Sequence, residues 1–290
     1  MKFNRFVKRL FDIILSPLRK KVSVQALVLS PNELLKGKKA LVTGGTSGIG
    51  FAIAKAFINS GASVVITGRK MERIQDACER LINETSTDAK IFGLQLDNTH
   101  IEEFEEKVQE AVYLLDGSID ILVNNAGVVG GRIMTTTEME YDTILDTNLK
   151  GAFFLSKVVS SYMVSNKING NILNIASSSS LRPAVSAYTL SKWGIRGLTL
   201  GLAKMLIPYG IVVNGLAPGP TATPMLKKNN DGDFSNFGNP TGRFATAEEI
   251  GNMAVVLTSG LGRMIVGDII YMTGGAGLIT YEDYSYKFEQ

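Results

Sequence analysis

Tyr188 and Lys192 stand four residues apart in ASSSSLRPAVSAYTLSK, a segment that also carries four consecutive serines, Ser177 to Ser180. If the stretch after the serines is helical, the phenol and the ammonium share one face. A tyrosine hydroxyl ordinarily titrates near about 10, too high for efficient proton transfer near neutrality. A nearby ammonium favours the phenolate, so Lys192 is placed to lower the Tyr188 pKa. Taken alone, a Tyr-x-x-x-Lys spacing reads equally well as an exposed surface pair. The chain has one histidine, His100, and one cysteine, Cys78. That argues against a Ser-His-Asp triad and His-cluster metal sites, and it excludes an intrachain disulfide. Proton chemistry therefore falls to Tyr, Lys, Asp, Glu or Ser.

A second group of residues suits a phosphate ligand. In TGGTSGIG, residues 43–50, Gly44, Gly48 and Gly50 let the backbone turn tightly, approach a pyrophosphate and seat a following helix. The spacing is G-x-x-x-G-x-G rather than G-x-G-x-x-G, and a glycine-rich turn alone is weak evidence. Its place between a strand and a helix makes it a dinucleotide site, with Thr46, Ser47 and Ile49 as further candidates. Asp97 could accept hydrogen bonds from an adenine amino group or from nearby backbone. The amides of NNAG, 124–127, place Asn124, Ala126 and Gly127 beneath a cofactor, although Asn124 reads equally well as a tie between strands.

These residues need a frame, and hydrophobic patterning supplies one. Apolar runs at 40–44, 63–68, 90–97, 119–127, 170–177, 211–219 and 267–275 predict seven strands. Helical patterns fall between them at about 49–60, 70–83, 101–115, 141–165 and 187–207. Strands separated by helices pair in parallel through right-handed crossovers. The expectation is an α/β, Rossmann-type doubly wound sheet of seven parallel strands with helices on both faces. Residues 36–290 read as one domain behind a 1–35 extension, with 225–240 as a substrate lid or a passive surface loop.

The end of the second predicted strand bears on cofactor choice. Sites for NAD place an acid there, to bond the ribose 2′-hydroxyl. This chain has Gly68-Arg69-Lys70, and the guanidinium fork of Arg69 suits a 2′-phosphate. NADP is expected over NAD, unless Arg69 merely ends a strand in solvent.

TGGTSGIG, NNAG, DTNLKGAFF, the serine run, YTLSK, NGLAPGPTATPM, GRFATAEEI and GDIIYMTGG occur in the order found in the short-chain dehydrogenases/reductases. The chain resembles that family over roughly residues 36–275. The resemblance implies hydride transfer between a nicotinamide and a carbonyl carbon, with Tyr188 as acid and base. Lys192 would hold the nicotinamide ribose and a serine would bond the substrate oxygen. Asn148 would support a water leading to Lys192, and Pro218, Gly219, Thr221 and Thr223 would line the nicotinamide. Ser177 closes the fifth predicted strand as the family serine does. It lies eleven residues before Tyr188, not the usual thirteen, and the position thirteen before is Ile175. A loop shortened by about two residues favours Ser177, with Ser178 the other candidate and Ser179 and Ser180 turn residues. The family also implies a homodimer or homotetramer. Gly194, Gly197 and Gly201 would then permit close helix contact, or else make room for the cofactor or a neighbouring strand.

Charge is uneven along the chain. Residues 1–21 carry +6, so the remainder is −3 of the total +3, which is no nucleic-acid platform. In MKFNRFVKRLFDIILSPLRKK apolar residues recur at helical spacing against a basic face. Such a helix can lie on an anionic membrane surface or pack on the body or on another subunit. It is too interrupted to span a bilayer, which needs roughly 20 apolar residues. A cytoplasmic enzyme, peripherally membrane-associated at most, is the expectation. The substrate would be a small carbonyl or alcohol. The rival from another class is a non-catalytic NADP-binding sensor or scaffold at the membrane.

Overall fold

Each of the seven apolar runs forms a strand in the computed structural model of the chain, and together they make one sheet. The structure describes residues 33–85, 89–226, 234–236 and 238–278. The basic 1–21 segment, most of the 1–35 extension, and 227–233 with Phe237 of the expected lid lie outside the described residues.

The strands are β1 (Lys39–Val42), β2 (Ser63–Gly68), β3 (Ile91–Gln95), β4 (Ile121–Asn124), β5 (Asn171–Ile175), β6 (Val212–Pro218) and β7 (Ile269–Met272). They pair in the order β3-β2-β1-β4-β5-β6-β7, all parallel. Seven α-helices follow among the described residues: α1 (Gly48–Asn59), α2 (Met71–Glu84), α3 (Phe104–Leu114), α4 (Glu138–Leu145), α5 (Gly151–Ser165), α6 (Ala187–Leu206) and α7 (Ala247–Thr258).

The strands are apolar at consecutive positions because both faces are covered. Leu41, Val65, Leu122, Ile172 and Val213 point to one side, against Phe104, Val108, Leu155, Val159 and Leu202 of α3, α5 and α6. Val42, Ile66, Val123 and Leu173 point to the other, against Phe57, Ile74, Leu81 and Ile250 of α1, α2 and α7. Burying each such side chain contributes about 1.5–3 kcal/mol. Strand order reverses between β1 and β4, which opens a crevice at the carboxyl ends of the strands.

Two elements differ from the sequence reading. Helix α7 is not predicted by apolar spacing, yet a capping box starts it: Thr246 accepts from the Glu249 amide and Glu249 accepts from the Thr246 amide. The helix expected over 141–165 begins earlier, at Glu138, where the Thr137 hydroxyl accepts from the Glu140 amide. It is then divided by a π-helical turn over Asp146–Lys150, between α4 and α5. Such a turn inserts one extra residue into the helical ladder and is found mostly at functional sites. Among the described residues no helix is long and apolar enough to cross a membrane, and no cluster of three or more His, Cys, Asp or Glu could hold a metal.

Candidate active site

A cavity of about 710 Å³ follows the crevice along the carboxyl ends of the strands. Its floor at one end is the glycine turn between β1 and α1. Gly44 and Gly48 adopt φ of 63° and 56°, backbone that a side chain makes costly. A Cβ on Gly50 would strike the Gly44 carbonyl and the Asn125 amide. Asn125 braces the turn by donating from Nδ2 to the carbonyls of Thr43 and Gly44, at 2.9 and 3.1 Å. The Thr43 hydroxyl accepts in turn from the amides of Asn125 and Ala126.

The residues at this end fit an anionic dinucleotide. Ser47, the N-cap of α1, makes no side-chain cap hydrogen bond, so the first amides of the helix are left to a ligand. Gly44, Thr46, Ser47, Gly48, Ile49 and Gly50 all line the cavity. Arg69, Lys70 and Arg73 line it where β2 ends, and Arg69 has no ion pair among the described residues. Asp97 lines the same wall. Burial alone would raise its pKa, but hydrogen bonds from the Thr99 amide and hydroxyl, with the His100 and Arg69 charges, hold it below the ordinary value. Ala126, Gly127, Pro218, Gly219, Thr221 and Thr223 complete the path towards the reacting residues.

Tyr188 is placed by the start of α6. Ser186 caps that helix, its hydroxyl accepting from the Thr189 amide at 3.1 Å. Four residues on, Lys192 donates from Nζ to the Ile175 carbonyl at 2.8 Å, which binds α6 to the end of β5. Lys192 is only 5% exposed, and burial lowers its pKa to about 8. Burial raises the Tyr188 pKa, and the opposing influence is a hydrogen bond with Ser177. The Lys192 ammonium lies 5.7 Å from the Tyr188 ring centre. At both groups burial is the largest influence and favours the neutral form.

Ser177, which lines the cavity, is the serine that opposes burial at Tyr188, and its hydroxyl accepts from the Ser179 amide at 3.1 Å. Ser178 and Ser179 line the cavity, while Ser180 turns away, donating to the Ser177 carbonyl. A short 3₁₀ turn over Ser178–Leu181 takes up the shortened loop.

Two expected site residues do not line the cavity. Asn124 is buried in the sheet and donates to Ser156 and to Asn174 on β5, so it ties strands together and is corrected from a cofactor contact. Asn148 sits in the π turn. It accepts from the Val128 amide and donates to the Val128 carbonyl and to Ser191, whose own hydroxyl donates to the Tyr188 carbonyl. Asn148 thus fixes the wall at Val128 and the backbone of the Tyr188 turn. Of the lid, Met225 and Asn236 line the cavity. Sequence reasoning missed Asn125, Lys70, Arg73 and Arg182. Arg73 could have been found four residues after Arg69, on the first turn of α2.

The profile of a known family, described as short chain dehydrogenase, matches residues 38–233. A 3-oxoacyl-acyl-carrier-protein reductase of Aquifex aeolicus is 35% identical over 246 residues, 83% of this chain and 98% of that protein. A 3alpha-hydroxysteroid dehydrogenase of Mediterraneibacter gnavus is 35% identical over 251 residues, 84% of this chain and 98% of its own. Among solved structures, a dehydrogenase/reductase from Sinorhizobium meliloti 1021 superposes with a TM-score of 0.74 at 32% identity, covering 84% of this chain and 97% of that one.

Proposed function

The chain belongs to the short-chain dehydrogenase family, and from that premise we propose that it is an NADP(H)-dependent oxidoreductase interconverting a ketone and a secondary alcohol, with Tyr188 as the acid and base. The observation that carries this reading is the convergence of Ser177, Tyr188 and Lys192 on one cavity whose other end is an uncapped helix N-terminus with three cationic side chains. A bound nicotinamide dinucleotide supplies the hydride in reduction and accepts it in oxidation. In reduction the carbonyl carbon gains that hydride while its oxygen takes a proton from the Tyr188 hydroxyl. Burial keeps Tyr188 protonated, the form that reduction requires. Ser177, which lines the cavity with Tyr188, donates to the substrate oxygen as charge develops there. Lys192 reaches the end of β5 and holds a positive charge below about pH 8, next to the proton donor. Asn148 positions rather than reacts, through Ser191 and Val128.

NADP is favoured over NAD because Arg69, Lys70 and Arg73 meet where β2 ends, and no acid lies at the end of that strand. A 2′-phosphate would take charge-assisted bonds there. Steady-state reduction over a panel of carbonyl compounds tests this. NADPH should be preferred to NADH, and Arg69→Ala should weaken NADPH about 10- to 100-fold, the size of a lost charge-assisted hydrogen bond. Unchanged NADPH affinity in that variant would refute the assignment.

A homo-oligomer is also proposed. Among the described residues nothing lies within 4 Å of where a Cβ on Gly197 or Gly201 would stand, so neither makes room for a described neighbour. Phe153, Leu190, Trp193 and Leu200 on α5 and α6 are exposed, which gives a second copy an apolar face to cover.

A further inference from the structure

Among the described residues the cavity wall carries five basic side chains, Arg69, Lys70, Arg73, Arg182 and Lys192, against one acid, Asp97. The first three stand together at the end of β2, beside Asp97, and Lys192 is spent on the Ile175 carbonyl. Arg182 is different. It lies in the connection between Ser177 and Tyr188, and its guanidinium takes part in no hydrogen bond or ion pair among the described residues. The side chain is exposed at the cavity and offers five donors to a ligand that enters.

The backbone at Arg182 is held in place. The Arg182 amide donates to the Ser179 carbonyl at 3.1 Å, and its carbonyl accepts from the Trp193 indole at 2.9 Å. Trp193 itself is stacked by Arg196, whose guanidinium carbon lies 5.3 Å from the ring centre. Pro183 follows, which restricts Arg182 to extended backbone, and its φ and ψ are −111° and 154°. The guanidinium rests on the backbone at Gly277, where a Cβ would stand 3.7 Å from Nε and 3.9 Å from Nη2. Anchored to α6 through Trp193, the Arg182 backbone keeps a fixed relation to Tyr188 on the same helix.

We propose that Arg182 is the substrate-selecting residue of this site, and that the substrate carries an anionic group, a carboxylate or a phosphate, at the end away from its reacting carbonyl. The inference rests on reading the cavity as a carbonyl-reducing site. A planar guanidinium fork pairs with either oxyanion in two parallel hydrogen bonds, which fixes position as well as charge. Among the described residues no carboxylate lies on that part of the cavity wall to compete for it.

The test uses the full chain with NADPH and three ketones on one carbon skeleton: neutral, carboxylate-bearing and phosphate-bearing. The wild type should favour one anionic ketone over the neutral one by about 10- to 100-fold in kcat/KM, as a charged hydrogen bond commands. Whichever anion is favoured identifies the group. In Arg182→Ala that ratio should fall towards one, and Arg182→Lys should restore part of it. Equal use of all three ketones by the wild type, or an unaltered ratio in Arg182→Ala, overturns the proposal. Calorimetric binding of the matching hydroxy acid and hydroxy phosphate in the presence of NADPH gives a second readout that needs no turnover. Anion binding lost in Arg182→Ala without any ketone reduction would sustain Arg182 and defeat the catalytic reading. Absence of Arg182-dependent binding beside normal reduction would do the reverse.

Discussion

At the scale of single residues, the site turns on how burial treats three polar groups. Ser177 opposes the burial that raises the Tyr188 pKa, whereas Ser178 exerts no such influence, so the two serines should separate in kinetics. Ser177→Ala should lower kcat by about 10²-fold or more, as loss of an oxygen-stabilising donor does, with Ser178→Ala far milder. The reverse ranking in steady-state assays would move the role to Ser178. Lys192 allows a test by stability. Its folded pKa is depressed by burial, from 10.5 to about 8. Between those values the native state has shed the proton while the unfolded chain still holds it, so native stability rises with pH across that window. Relative to Lys192→Met, the wild type should gain on the order of 3 kcal/mol between pH 8 and 10.5. Denaturant titrations of both proteins at the two ends of that range measure it. A difference that stays flat with pH would show Lys192 to be more solvated than its setting implies.

At the scale of elements, the glycine turn has little slack. Gly50→Ala forces a methyl group into the Gly44 carbonyl and Asn125, so it should cost about 1–3 kcal/mol and abolish nucleotide binding. Thermal unfolding with and without NADPH reads both effects, and a retained NADPH-induced shift in Tm would contradict the role given to this turn. The seven strands were legible in the sequence because each is a short run rich in apolar and β-branched residues bounded by turns, and α1 and α6 because Gly and Ser mark their ends. Helix α7 was not, since its signal is the single Thr246–Glu249 capping box rather than a stripe. The π turn at Asn148 leaves no trace in apolar spacing, because Ile144, Ala152 and Leu155 still fall on the buried face. Tyr188, Lys192 and the glycine turn were readable from type and spacing. Asn125 could not be told from Asn124, because adjacent strand-end residues point to opposite sides and only the register decides which meets the turn. Arg182 gave no signal, because its meaning lies in the partners it lacks.

At the scale of the whole molecule, a body that carries −3 beyond its first 21 residues encloses a cavity lined, among the described residues, by five cations and one acid. Charge of one sign gathered in a crevice draws anionic ligands to it even when the surrounding surface is of the other sign. The doubly wound sheet sets that crevice at the carboxyl edge, where β1 and β4 diverge, and the apolar layers on both faces keep its walls fixed. Strand order and helix caps thus bring Ser177, Tyr188 and Lys192, from the end of β5 and from α6, to one point opposite the nucleotide turn. The most direct test of the account is Tyr188→Phe, assayed for NADPH-dependent ketone reduction alongside NADPH binding by fluorescence. Removing the proton donor should lower kcat by about 10²- to 10⁴-fold while NADPH affinity and Tm hold. Reduction at an undiminished rate in that variant would contradict the assignment of Tyr188 as the acid and base.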